Sequence, residues 1–165
     1  MDVLLIVFLT LLNGVFAMSE LALAASRKAR LNAMAEAGDK GAQAALRLAE
    51  DPTRFLSAVQ VGITLIGILT GAVGGATVTR QLDSLLERLP VLAPYSEGLS
   101  FALVVAVITY LSVVIGELVP KRIGQLYPET VARLVARPMM WVAIGARPFV
   151  RLLSFSTLVV LKLLR

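Results

Sequence analysis

Glu117 is the only charged residue in the apolar run 99–119. A carboxylate held at lipid depth costs a few kcal/mol, so such acids normally face a partner or a water-filled path. Glu117 stands in the segment Gly116-Glu117-Leu118-Val119-Pro120-Lys121-Arg122. Pro120 has no N–H and cannot bond the carbonyl four residues back, which belongs to Gly116. A carboxylate beside a released carbonyl oxygen is a ligand pair that a hard cation uses. Lys121, four residues after Glu117, offers the other compensation, a helix-end ion pair or an acid that snorkels to the interface. Spacing alone leaves both open.

Two further apolar runs carry polar residues. In residues 3–25, Glu20 shares a helix face with Asn13, Ala17 and Ala24. Asn13 falls at mid-run, where an amide needs a partner. Ser19 points elsewhere and reads equally as a hydroxyl bonding its own backbone. Residues 55–78 hold no charge but carry Gly62, Thr64, Gly67, Thr70, Gly71, Gly74, Gly75 and Thr77. Gly67, Gly71 and Gly75 make small-xxx-small steps, which let helices approach closely within a bundle or across a dimer. Thr64 could present a hydroxyl to the same cavity as Glu117.

These residues need a membrane to sit in, and the composition supplies the reason. Of 165 residues, 58% are hydrophobic and 16% charged, against about 25% charged in a soluble domain; the mean hydropathy is +0.83. Three runs reach the roughly 20 residues that span a bilayer: 3–25, 55–78 and 99–119. The chain has no Cys and no His. That excludes disulfides, thiolate chemistry, His-based metal sites and Ser-His-Asp triads, and limits any metal site to hard ions on oxygen. No nucleotide-binding motif is present, and no enzyme is expected. The net charge of +5 lies beside apolar runs with little aromatic interleaving, which points to anionic lipid headgroups rather than nucleic acid.

Positive charge sets the expected orientation. Residues 26–54 hold Arg27, Lys28, Arg30, Lys40, Arg47 and Arg54, and eight more follow the third run. The loop 80–97 holds Arg80 and Arg88 against Asp83, Glu87 and Glu97. The N-terminus is thus expected outside the cell membrane, with the 26–51 segment and the C-terminus cytoplasmic. Val15-Phe16-Ala17 resembles a signal-peptide cleavage site, but Asp2 and the lack of a basic residue before the apolar run argue against cleavage. The 26–51 segment reads as a helical hairpin. Ser26 would cap its start, Gly38-Asp39-Lys40-Gly41 would turn it, and Asp51-Pro52 would open the second span as N-cap and N1. In the tail 126–165, Arg133, Arg137, Arg147, Arg151, Lys162 and Arg165 fall within about 80° of a helical wheel. A basic stripe opposite apolar residues suits interfacial helices, kinked at Pro138 and Pro148. A fourth span at 149–161 is too short and contains Arg151.

Three segments then carry a family resemblance: Phe16-Ala-Met-Ser-Glu-Leu-Ala-Leu23, Val59-Gln-Val-Gly-Ile-Thr-Leu-Ile-Gly67 and Gly116-Glu-Leu-Val-Pro-Lys121. In this order they resemble the transmembrane module of the CNNM/CorC family, also called DUF21 and often labelled hemolysin-like. The Gly-Glu-x-x-Pro-Lys element is the most specific of them. The resemblance implies an all-α membrane protein with three transmembrane helices, a cytoplasmic helical hairpin and interfacial juxtamembrane helices, making one domain over 1–165. It implies a homodimer in the plasma membrane, Mg²⁺ transport, with export coupled to Na⁺, and cytoplasmic CBS-type domains beyond a module cut from a longer protein. It places the ion at Glu117 with polar groups from the first two spans. The expected ligands are therefore Glu117, the Gly116 carbonyl, Asn13, Ser19 and Thr64, with Glu20, Gly62, Gly67, Gly71, Pro120 and Lys121 in structural or gating roles. Many members carry serines where Asn13 and Ala17 stand, and an Asn-rich stretch where Gly62-Ile63-Thr64 stands. Asn13 and Thr64 can replace those oxygen ligands; Ala17 and Ile63 cannot. The alternative is a dimeric anchor for cytoplasmic sensory domains, without transport. Nothing in the sequence resembles a pore-forming toxin.

Overall fold

The computed structural model describes residues 2–89 and 92–163, which are helical throughout apart from short turns and contain no strand. Among the described residues, three helical segments are long and apolar enough to cross a membrane: Val3–Ala25, Pro52–Val73 and Ala93–Leu126. The chain is an all-α, multi-pass membrane protein. The first span is α1 (Asp2–Ala25). A hairpin of α2 (Lys28–Glu36) and α3 (Lys40–Glu50) follows. The second span begins as α4 (Pro52–Val73), passes through a π-helical turn at Gly74–Val78 and continues as α5 (Thr79–Leu86). The third begins as α6 (Ser96–Val113), has its own π-helical turn at Val114–Leu118 and ends as α7 (Val119–Leu126). Two helices close the chain, α8 (Pro128–Gly145) and α9 (Arg147–Leu163).

The contacts divide the chain into two compact units: Met1–Val15 with Thr64–Pro120, and Phe16–Ile63 with Lys121–Arg165. In the first, α5 packs back along α6, and the glycine turn after α4 lies against α6. Gly74 is there because a Cβ would overlap the Ile108 side chain. Large apolar residues such as Leu65, Ile68, Phe101 and Val107 remain exposed, as expected where lipid replaces water as the solvent. Gly67, Gly71 and Gly75 have open space where a Cβ would go. Among the described residues, nothing lies within contact of a Cβ at any step of this small-residue ladder.

The second unit has a more water-like construction. The α2–α3 hairpin turns at Gly38, whose φ of +91° is a conformation that side chains disfavour. Asp39 caps α3, accepting the N–H groups of Gly41 at 2.8 Å and Ala42 at 3.0 Å. Helix α3 packs against α8 through Ala42, Ala44, Ala45 and Leu48 on one side and Val131, Ala132, Ala136 and Met139 on the other. The approach is so close that a Cβ on Gly41 would collide with the Arg133 carbonyl. Asp39 also takes a 2.8 Å ion pair from Arg133. The Ala42 N–H, then the Arg133 guanidinium, hold its carboxyl below the usual aspartate range.

Several sequence expectations change here. Ser26 does not cap the hairpin: Arg27 occupies the N-cap, and the Ser26 hydroxyl donates to Ala22 O at 2.6 Å. The serine comes one residue early, where a spare carbonyl at the end of α1 is the nearer partner. Asp51 does open α4, accepting the Arg54 N–H at 3.1 Å, with Pro52 as the first helical residue. Pro138 does not interrupt α8, which runs through it; the chain bends by 63° between α8 and α9 instead. Arg133 leaves the basic stripe for Asp39 because the apolar face of α8 is used on α3 rather than kept for an interface. Arg165 lies outside the described residues.

Candidate functional site

In the first unit, α1 meets the π-helical turn of the third span at backbone contact, and two glycines make this possible. A Cβ on Gly14 would lie 2.9 Å from Pro120 Cγ and 3.4 Å from Ile115 O; a Cβ on Gly116 would lie 3.1 Å from Thr10 O. Neither helix has room for a larger residue. A π turn inserts one extra residue into the helix and shifts its hydrogen bonds from i−4 to i−5. Here the Val119 N–H bonds Val114 O, and Pro120 next in line has no N–H to give. In this register the carbonyl that proline leaves over is Ile115 O rather than the Gly116 O of a regular α-helix, and Gly116 O instead accepts the Asn13 side chain, whose Nδ2 donates to it at 3.0 Å.

That bond determines how the amide points. The reverse flip would set two carbonyl oxygens against each other, so the nitrogen faces Gly116 and Oδ1 faces away. Asn13 Oδ1 is then a buried oxygen with no hydrogen-bond partner. A buried acceptor without a donor costs about 1–3 kcal/mol, and such groups call for a water, an ion or a role. Glu117, next to Gly116 in the same π turn, is half-buried. An amide oxygen and a carboxylate are both hard, cation-compatible donors.

The other expected ligands are placed differently. Thr64 is exposed on α4. Ser19 belongs to the second unit, is buried, and donates to Phe16 O at 2.7 Å within its own helix. Gly62, in the second unit, is needed because the Phe16 ring occupies the space a Cβ would take. Gly67 and Gly71 face open space. Lys121 Nζ lies 4.0 Å from Glu20 Oε2, so an acid in the last turns of α1 meets a lysine near the start of α7. Among the described residues no three acidic side chains gather as a metal cluster. Any ion here would keep much of its water, which is how Mg²⁺ is commonly bound.

Two participants escaped the sequence reading: Gly14 and Thr10. Gly14 looked like one more small residue in an apolar run. Its neighbour Asn13 was the available signal, because a buried amide demands a close partner and close approach demands a small residue beside it.

The combination of an Asn-Gly pair on the first span and a Gly-Glu-x-x-Pro turn on the third can be compared with known proteins. The profile of the cyclin M transmembrane N-terminal domain, CNNM, matches residues 4–165. The chain belongs to the CNNM family. The UPF0053 protein sll0260 of Synechocystis sp. is 53% identical over 163 residues, 99% of this chain and 36% of that protein. The UPF0053 protein YhdP of Bacillus subtilis is 36% identical over 155 residues, 94% of this chain and 35% of that protein. A protein of Salmonella typhimurium named polyamine export protein is 34% identical over 153 residues, 93% of this chain and 34% of that protein. This CNNM module thus spans about a third of the length of the curated relatives it matches.

Proposed function

We propose that this chain is the membrane module of a cation exporter, with Mg²⁺ as its substrate and an ion gradient, Na⁺ in the first instance, as its driving force. The observation that carries the reading is the buried Asn13 Oδ1, left without a donor beside the π turn that holds Glu117. An oxygen that no protein N–H or O–H satisfies is suited to a positive ion. Glu117 would supply the charge, Asn13 the amide oxygen, and Thr64 a hydroxyl along the route, whereas the Ser19 hydroxyl is already used by Phe16 O. The Gly116 carbonyl becomes available whenever the Asn13 amide swings away. Family membership and a relative named for polyamine export support cation movement in general. A polyamine ammonium would also suit a carboxylate and an amide oxygen, but a small number of hard oxygen ligands favours Mg²⁺, which is usually held by few protein groups. The N-terminus is placed outside and the hairpin and C-terminus in the cytoplasm, on the distribution of positive charge.

The test is thermal stability of the purified chain titrated with Mg²⁺, Mn²⁺, Ca²⁺, Na⁺ and spermidine, together with flux in proteoliposomes. A ligand that binds the native state at 100 times its Kd stabilises by about 2.7 kcal/mol. Stabilisation by Mg²⁺, lost in both Glu117→Gln and Asn13→Leu, is expected. Stabilisation by spermidine alone would reassign the substrate. One observation favours a second reading, a dimeric anchor for cytoplasmic CBS-type domains: the Gly67-Gly71-Gly75 face is open and free to meet a second copy. Unchanged flux and unchanged metal response in Glu117→Gln would leave that reading in place of transport.

A further inference from the structure

In the second unit, the N-terminal turns of α4 and α9 open onto a common groove of about 530 Å³. Arg54 enters it from α4, and Arg147 and Arg151 enter it from α9. None of these three guanidinium groups is paired with an acid among the described residues. Asp51 is the one acid in the lining, and its Oδ1 is already occupied in capping α4 through the Arg54 N–H at 3.1 Å. Three positive charges and one negative leave the groove at +2. Both helices also direct the positive ends of their dipoles toward it. Like charges gathered this way repel one another unless an anion lies between them, and guanidinium forks match phosphate oxygens in pairs.

The far wall identifies the rest of the ligand. Beyond Arg151 the groove is lined by Phe155 and Leu158, which are 67% and 66% exposed. The hydroxyls of Ser156 and Thr157 donate at 2.9 Å to the carbonyls of Leu152 and Leu153, so this stretch of α9 asks nothing of water. A charged head at one end and an apolar wall at the other describe an amphiphile. We propose that the groove is a binding site for the phosphate headgroup of an anionic phospholipid, with its acyl chains along Phe155 and Leu158. A lipid held there would tie the start of α4 to α9. This goes further than adsorption of a basic stripe, because it names which arginines matter, and it is independent of the cation reading.

The experiment is native mass spectrometry of the full chain released from mixed micelles of phosphatidylglycerol and phosphatidylcholine. Wild type is expected to retain phosphatidylglycerol selectively. Arg147→Gln with Arg151→Gln should weaken retention at least tenfold, while Lys28→Gln with Arg47→Gln, an equal charge loss outside the groove, should leave it unchanged. Ser154→Glu, which sets a competing carboxylate in the groove without removing an arginine, should weaken retention as well and serves if the double variant misfolds. Equal loss in the Lys28/Arg47 variant, equal retention of phosphatidylcholine, or undiminished retention in both groove variants would overturn the proposal. Displacement of the lipid by millimolar inorganic phosphate would also overturn it, in favour of a site for a soluble phosphate.

Discussion

Substituting Gly14 by alanine places a methyl carbon 2.9 Å from Pro120 Cγ. Carbon atoms rest about 3.5–4.0 Å apart, so α1 and the proline must separate by roughly 0.6–1.1 Å. A proline ring cannot swing aside as a flexible side chain would. The 3.0 Å bond from Asn13 to Gly116 O then stretches past the range in which it holds. Overpacking of this kind costs about 1–3 kcal/mol, set against a helix-propensity gain of up to about 1 kcal/mol from replacing glycine. Gly98→Ala on α6 has the same propensity gain and open space for its Cβ. The difference between the two variants therefore isolates the clash. Gly14→Ala is expected to be about 1–3 kcal/mol less stable than Gly98→Ala, measured by helix content during unfolding in mixed detergent and SDS micelles. Adding Pro120→Ala removes Cγ and leaves only a Cβ, at the 3.6 Å now occupied by Pro120 Cβ. The double variant should recover about 1 kcal/mol or more relative to additivity. Strict additivity, or a Gly14→Ala protein as stable as Gly98→Ala, would refute the packing account.

Asn13→Leu removes the amide and leaves Gly116 O without its donor. A loss of about 1–3 kcal/mol is expected in the same unfolding assay, and a variant as stable as wild type would contradict the bond's role. At the hairpin, Asp39 has a folded pKa below its ordinary value, so its contribution is fully present above its unfolded pKa of about 3.9 and fades as pH falls through the lower folded value. The thermal midpoint of Asp39→Ala should thus lie below wild type at neutral pH, with the gap closing below about pH 4. A gap that widens in acid would contradict this assignment.

The membrane-crossing helices were legible because their cause is local. A run of about 20 apolar residues must span and must be helical, since lipid offers backbone groups no other partner. The acid in the third run and the proline three residues later were visible for the same reason, but the π turn that moves the proline's spare carbonyl from Gly116 to Ile115 was not. Nor was the partner of Gly116 O visible. Asn13 lies 103 residues away in sequence, and nothing in either segment's own pattern selects the other. Gly14 and Gly67 read alike as small residues in apolar runs, yet one is pressed against Pro120 and the other faces open space.

The tail shows the same division. Helical periodicity groups the arginines of α8 and α9 on one stripe of a straight wheel, but the chain bends by 63° between the two helices, and periodicity cannot say what the opposite face will meet. Helix α3 buried the apolar face of α8, Asp39 drew Arg133 out of the stripe, and Arg147 and Arg151 came together with Arg54. Sequence determined which segments enter the bilayer and where charge is carried, because those depend on neighbours within a few residues. Tertiary structure alone decided which groups meet, because close contact between helices depends on how both surfaces fit at once.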